Sequence, residues 1–362
     1  MWLIPFCMTQ KSVDSAALPF VPHGAAQLGS VTVDAYNAEM RSADGFVGDR
    51  ASRRAFQAIL DDWRERVSKS GEDPLGDEPS EALSKKKLDK ALIEGDAEAA
   101  GVVHGAVEEF AQELAAVVRR FLRLKDWKNT ERIVVGGGLR ESRVGEVAIG
   151  RAGVILKAAG VDVSLHPIGN PPDHAGLIGC AHLVPPWILS GHDSILAVDI
   201  GGSNIRCGVV ELRNRKKPDL SGATVSHFEL WRHRDEEPDR EDAVERLIAM
   251  LKSMIRAAGK DDLKLAPFVG VGCPGLIRPD GSIERGGQNL PGNWEVKRFN
   301  LPSLLLEAIP KIADHDTMVV MHNDAVVQGL SELPNVTDAT HWGVLTIGTG
   351  LGNARFTNRR AE

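Results

Sequence analysis

Apolar and polar residues alternate through Val31, Thr32, Val33, Asp34, Ala35 and Tyr36, the period of two that a half-buried strand requires. The period then lengthens. Phe56, Ile59, Leu60, Trp63 and Val67 recur at three and four residues, which predicts a helix buried along one face. Ser68 to Lys87 interrupts the pattern with charges and with Pro74 and Pro79, and reads as a surface excursion. Helical spacing returns with Val103, Val107, Phe110, Leu114, Val117 and Phe121, predicting a long scaffold helix over 97–124. A β-branched run, Ile133 to Val135, leads into Gly136, Gly137 and Gly138, the order strand, glycine turn, helix. Such a turn lets a ligand approach the backbone.

Pro185, Pro186 and Gly191 break regular structure between Val184 and Ser194 and mark a lobe boundary. Beyond it, Ile195 to Asp199 reads as a buried strand, Gly201 to Asn204 as a tight turn, and Ile205, Cys207 and Val209 as the returning strand of a hairpin. Val244, Leu247, Leu251 and Met254 are in phase on a helix, and strands follow at Pro267 to Cys273 and Met318 to Met321, the second running into a helix from Ala325. Trp342 to Ile347 is a further strand, ending in Gly348, Thr349, Gly350, Leu351 and Gly352. No internal repeat is visible.

With 362 residues, 43% of them apolar, the chain can bury two cores, and two lobes leave a cleft between them. A formal net charge of −7 argues against a broad nucleic-acid surface, so nucleic acid is not an expected partner. Cys7, Cys180, Cys207 and Cys273 are far apart and form no CxxC pair, so neither a disulfide framework nor a zinc site is expected, and a reducing, cytoplasmic compartment fits. Met1 to Met8 is apolar but short and without a basic flank, so residues 1–19 are expected to be a loose tail; no run approaches membrane length, and no membrane partner is expected.

The chemistry concentrates where strands end. Asp199 closes a buried strand and Gly201 and Gly202 follow at once. A buried carboxylate needs compensation, and a cation is the natural one. The glycines free backbone N–H groups to converge on phosphate oxygens, and Ser203, Asn204 and Arg206 can add donors; an ordinary hairpin turn would look the same. Gly348, Thr349 and Gly350 form a second turn of this kind. Asn323 and Asp324 stand where a strand yields to a helix, which suits a helix cap and equally suits a base for a hydroxyl in a cleft.

Taken in order, these residues resemble the ROK family (repressor, open reading frame, kinase) of the sugar kinase and actin superfamily. Asp199 to Arg206 looks like the family's first phosphate loop, and Gly348 to Gly352 like its second. Cys273-Pro274-Gly275 and Asn289 to Gly292 look like its sugar-side loops, and Asn323 and Asp324 like its sugar contact and catalytic base. Gly136 to Leu139 resembles the adenosine turn and Ala175 to Ala181 the closing helix, yet both precede the first phosphate loop. The resemblance therefore implies an α/β, two-lobed actin-like ATPase (ribonuclease H-like) fold that is circularly permuted, with the strand ending near Arg355 pairing with Val31 to Tyr36. One lobe would comprise residues 20–190 plus 341–362, and the other 191–340.

The resemblance further implies phosphorylation of a hexose or hexose derivative by ATP, in a monomer or homodimer. Asp324 would be the base; Asn323, Asn289, Gly275 and Asp49 would hold the sugar, with His23 and Glu39 as weaker alternatives. Gly201, Gly202, Ser203, Asn204, Arg206, Gly348, Thr349 and Gly350 would hold the phosphates, Gly136, Gly137 and Gly138 the adenosine, and Asp199 a magnesium ion through water. The family's Gly-His segment and cysteine-rich zinc loop are not recognisable in this sequence, so no structural zinc is expected. Two other readings stay open: a sugar- or nucleotide-binding protein without catalysis, and a sugar-responsive transcriptional regulator.

Overall fold

The computed structural model describes residues 21–43 and 45–359; the tail expected over 1–19, with Cys7, lies outside them. β1 (Gln27–Leu28) and β2 (Val31–Tyr36) form an antiparallel ribbon. A small hairpin, β3 (Arg41–Ser42) and β4 (Gly45–Phe46), leads through a 3-10 turn, Val47–Ala51, into α1 (Arg53–Ser68). Ser52 caps α1, its hydroxyl accepting from the Ala55 N–H. Then come α2 (Lys85–Glu94), α3 (Ala97–Phe121), β5 (Arg132–Gly136), α4 (Arg143–Ala158), β6 (Ser164–Pro167) and α5 (Pro172–Gly179).

The chain next forms the meander β7 (Ser194–Ile200), β8 (Ile205–Glu211) and β9 (Thr224–Trp231). A single turn, α6 (His233–Glu236), precedes α7 (Arg240–Lys260), β10 (Leu265–Cys273) and α8 (Leu301–Ala308). The hairpin β11 (Lys311–Ile312) and β12 (His315–Asp316) leads to β13 (Met318–Asn323), α9 (Asp324–Leu330), β14 (His341–Ile347) and β15 (Leu351–Asn358).

This is a mixed α/β fold on two main sheets. One has the order β1-β2-β15-β14-β5-β6, the other β13-β10-β7-β8-β9. The first sheet joins an early strand to a late one: β15 pairs antiparallel with β14 on one side and with β2 on the other, Asn358 facing Val31 and Phe356 facing Val33. In the second sheet β10 runs parallel to β7 and β13, so their carboxyl ends, Asp199, Cys273 and Asn323, open at one edge. β7 is buried along its whole length, which is why its sequence runs apolar without alternating.

Three cores follow from these layers. Helices α1 to α4 cover one face of the first sheet, and α7 and α8 cover one face of the second. α5 and α9 pack with each other between the sheets, in a core shared by Val134, Ala197, Phe268 and Trp342. Gly179 permits their crossing, because a Cβ there would lie 1.7 Å from the carbonyl oxygen of Val327.

The stretch expected as a surface excursion is in part packed. Leu75 and Leu83 are buried, and the buried Arg64 of α1 gathers it in, donating to Asp73 (2.7 Å), Ser80 Oγ (2.8 Å) and the carbonyls of Gly76 (2.7 Å) and Glu78 (2.6 Å). Its last residues open α2, which the charge density of Lys85 to Lys90 concealed. Among the described residues no helix is long and apolar enough to cross a membrane.

Candidate active site

The turn after β7 is tied from outside. Its own hydrogen bond runs from Gly201 N–H to the Asn204 carbonyl at 2.8 Å, while His233 Nε2 donates to the Gly201 carbonyl at 2.9 Å and Arg234 to that of Gly202 at 3.3 Å. A side chain at 202 would press on Asn289, since a Cβ there would stand 2.8 Å from the Asn289 Cβ. The turn after β14 closes with Gly348 N–H to the Gly350 carbonyl at 2.9 Å, and Arg53 N–H holds the Gly348 carbonyl at 3.0 Å. These two turns meet: the hydroxyls of Ser203 and Thr349 are hydrogen-bonded at 3.0 Å.

The glycine turn after β5 joins them. Gly137 has φ of 90°, and a Cβ there would lie 2.2 Å from the Ile347 carbonyl oxygen, so only glycine allows the end of β5 to press against the end of β14. Gly137 and Gly138 line the same cleft, of about 360 Å³, as Gly201, Gly202, Ser203, Asn204 and Arg206 on one wall and Gly348, Thr349 and Gly350 on another. Gly136 is buried beneath the turn and does not line it.

Asp324, the first residue of α9, faces this cleft. Desolvation and then the negative charge of Asp199 push its carboxyl up to about 7, against the pull of hydrogen bonds from Ala325 and Asn323. Gly272 of β10 lies between the two acids: a Cβ there would stand 3.5 Å from Asp199 Oδ1 and 3.6 Å from Asp324 Cα. Asp199 is 2% exposed, below the cleft floor. Burial raises its carboxyl, Arg206 opposes that, and Asp173 adds to it.

Arg206 bridges two acids. Its Nε donates to Asp173 Oδ1 at 2.7 Å and its Nη1 to Asp199 Oδ2 at 3.3 Å. Asp199 Oδ1 is left buried without a hydrogen-bond partner, an arrangement that calls for a cation or water. Among the described residues no group of three or more His, Cys, Asp or Glu could cage a metal. An ion beside Asp199 would instead have to keep its waters and take further oxygens from a substrate phosphate, as magnesium does.

On the remaining wall, Gly275 (φ 100°) and Asn289 line the cleft, and so do Asp49 and Glu39 from the segment between β2 and α1. Two expected sugar contacts are placed otherwise. Asn323 is 2% exposed and does not line the cleft: its Oδ1 accepts from Ala325 and Val326 N–H, and its Nδ2 donates to the Gly275 carbonyl at 3.1 Å. Here its amide caps α9 and fixes Gly275, and it also hydrogen-bonds Asp324, which does line the cleft. His23 is likewise buried, its Nδ1 accepting from Met321 N–H at 3.0 Å, and burial lowers its pKa to about 4.

Asp173, Arg53, Gln288, Gln328 and Asn353 line the cleft without having been singled out in the sequence. Asp173 follows Pro171 and Pro172 at a helix start, where an acidic residue is ordinary. Nothing local in the sequence marks it as facing Arg206.

No family model matches the chain, and no curated protein matches it. Solved structures similar to part of it include Lmo2764 from Listeria monocytogenes, a candidate N-acetylmannosamine kinase (25% identity, TM-score 0.33, 46% of this chain and 47% of that one). A candidate sugar kinase from Cytophaga hutchinsonii shares 20% identity at a TM-score of 0.35, over 46% and 48% of the two chains. An exopolyphosphatase from the same organism shares 15% at 0.22, over 48% and 51%. The chain spans about half the length of each of these three structures.

Proposed function

We propose that this chain is a sugar kinase that transfers the γ-phosphoryl group of ATP to a hydroxyl of a hexose or hexose derivative. The observation that carries the reading is Asp324, a carboxylate raised to about 7, facing the cleft that both phosphate-type turns line. A base matched to neutral pH is what proton removal from a hydroxyl in a desolvated site requires.

In this mechanism the triphosphate lies between Gly201 to Asn204 and Gly348 to Gly350, with the adenosine towards Gly137 and Gly138. The sugar lies against Asn289, Gly275, Asp49 and Glu39. Asp324 orients the hydroxyl and takes its proton as the oxygen bonds to the γ-phosphorus; the bond from phosphorus to the bridging oxygen breaks, and ADP leaves with that electron pair. Magnesium, when bound, spreads the negative charge of the transferring phosphates, and Asp199 would hold it through water. Closure of the cleft around both substrates would exclude water that otherwise takes the phosphoryl group.

The permuted actin-like order belongs to the same proposal. Its support is that β15, directly after the second phosphate-type turn, continues the first sheet into β2. A new chain end in an exposed connection leaves the packed core intact.

The deciding experiment incubates the protein with ATP, magnesium and a panel of hexoses and follows ADP release. Release that depends on one sugar, and that falls about 10³-fold in Asp324→Asn while sugar still binds, is the expected result. Binding of sugar and nucleotide with no transfer would favour a binding protein instead, a reading to which the inward-turned amide of Asn323 lends support.

A further inference from the structure

α5 presents one helical face to the carboxylate of Asp199, and two of its residues act there three positions apart. Gly176 makes room: a Cβ at this position would lie 2.6 Å from Asp199 Cγ and 2.8 Å from its Oδ1. Asp173, one turn earlier and facing the cleft, takes the Arg206 Nε at 2.7 Å, a shorter contact than the 3.3 Å from Arg206 Nη1 to Asp199 Oδ2. Arg206 Nη2 makes no hydrogen bond among the described residues.

The guanidinium therefore has two carboxylates competing for it. A planar, five-donor fork beside a single buried carboxylate closes on it in a bidentate pair. Here the fork is drawn sideways, and Asp199 keeps one oxygen without a partner. With both oxygens of Asp199 paired to Arg206, the positive charge already on that carboxylate would repel a second cation.

We propose that Asp173 is a positioning residue for the donor: by holding Arg206 Nε it keeps the guanidinium from closing on Asp199, so that Asp199 Oδ1 stays free for a hydrated divalent cation and Arg206 Nη2 for a donor phosphate. The inference rests on the kinase reading and adds to it a third acid, carried by the element between the two sheets. Asp173 touches neither the reacting hydroxyl nor the γ-phosphorus in this account. It acts through Arg206.

The test is binding rather than turnover. Manganese, in the presence of a non-hydrolysable ATP analogue, is titrated into the full chain and followed by electron paramagnetic resonance, with the thermal midpoint of each variant recorded. Asp173→Ala is expected to raise the manganese dissociation constant at least tenfold while hexose affinity stays within twofold, and Asp173→Asn, which keeps an acceptor for Arg206, to fall between it and the wild type. Asp173→Glu should restore most of the loss. If wild-type protein binds manganese nucleotide and Asp173→Ala binds it equally well, or if metal and hexose affinities fall together in both variants, the inference is overturned and the kinase reading stands. If wild-type protein binds no manganese nucleotide, both are overturned.

Discussion

Ser203 and Thr349 stand 146 residues apart in the chain, and their hydroxyls are hydrogen-bonded at 3.0 Å across the cleft. The bond links the turn after β7 to the turn after β14, and so links the two main sheets at the point where a triphosphate would enter. Either hydroxyl can turn from its neighbour to a phosphate oxygen, which replaces a neutral bond by a charge-assisted one.

Thr349→Val removes that hydroxyl at nearly constant volume. The KM for ATP should rise about tenfold, as expected for one lost bond to a charged group, with the KM for sugar unchanged. Steady-state kinetics with each substrate varied in turn checks this.

The raised carboxyl of Asp324 fixes the direction of the pH dependence. In its proposed role as base it must be ionised, so turnover should rise with pH through about 7 and then level off. A profile of kcat from pH 5.5 to 8.5 tests the assignment, and a flat profile contradicts it.

Stability should run the other way. The native carboxyl of Asp324 holds its proton up to about 7, whereas an unfolded aspartate releases it near 4, so between these values the native state binds more protons. Unfolding free energy therefore falls as pH rises through that window, because ionisation places a charge beside Asp199 in a desolvated wall. Asp324→Asn removes the titration, and its thermal midpoint should exceed that of the wild type at pH 8.5 by more than at pH 5.5.

Gly179→Ala would force a Cβ to 1.7 Å from the Val327 carbonyl oxygen, against backbone that cannot yield without separating α5 from α9. A loss of about 3 kcal/mol or more is expected, visible as a large fall in the denaturant midpoint. Gly150, with open space around it, is the control: alanine there should be neutral or slightly stabilising.

Arg64→Ala would leave Asp73, Ser80 and the carbonyls of Gly76 and Glu78 without their shared donor. We expect a loss of about 3 kcal/mol. Proteolysis between Ser68 and Ser84 should become faster, which limited digestion followed by mass spectrometry would report.

Much of the architecture was legible one element at a time, since burial imposes a period and the period is written in the residues. The alternation at Val31 to Tyr36, the helical phase from Val103 to Phe121 and the unbroken apolar run at Ile195 all correspond to elements of the expected type. The glycines of the three turns were legible too, because a backbone with φ near 90° at Gly137 or room only for hydrogen at Gly202 leaves no other choice of residue. The pairing of β15 with β2 could be expected only through a resemblance, for nothing in either strand names its partner.

What the sequence by itself determined is the set of strands, helices and glycine turns, because these depend on neighbours a few positions away. The tertiary structure alone decided which way the side chains at strand and helix ends turn. Asn323 faces inward as a cap and Asp324, one residue later, faces the cleft, since the first turn of α9 points successive side chains in different directions. Asp173 meets Arg206, and Asp199 meets Asp324 across Gly272, only because α5 and α9, packed between the two sheets, converge on β7, β8 and β10 of one of them. Charges separated by more than a hundred residues act on one another through distance in space, which chain order does not record.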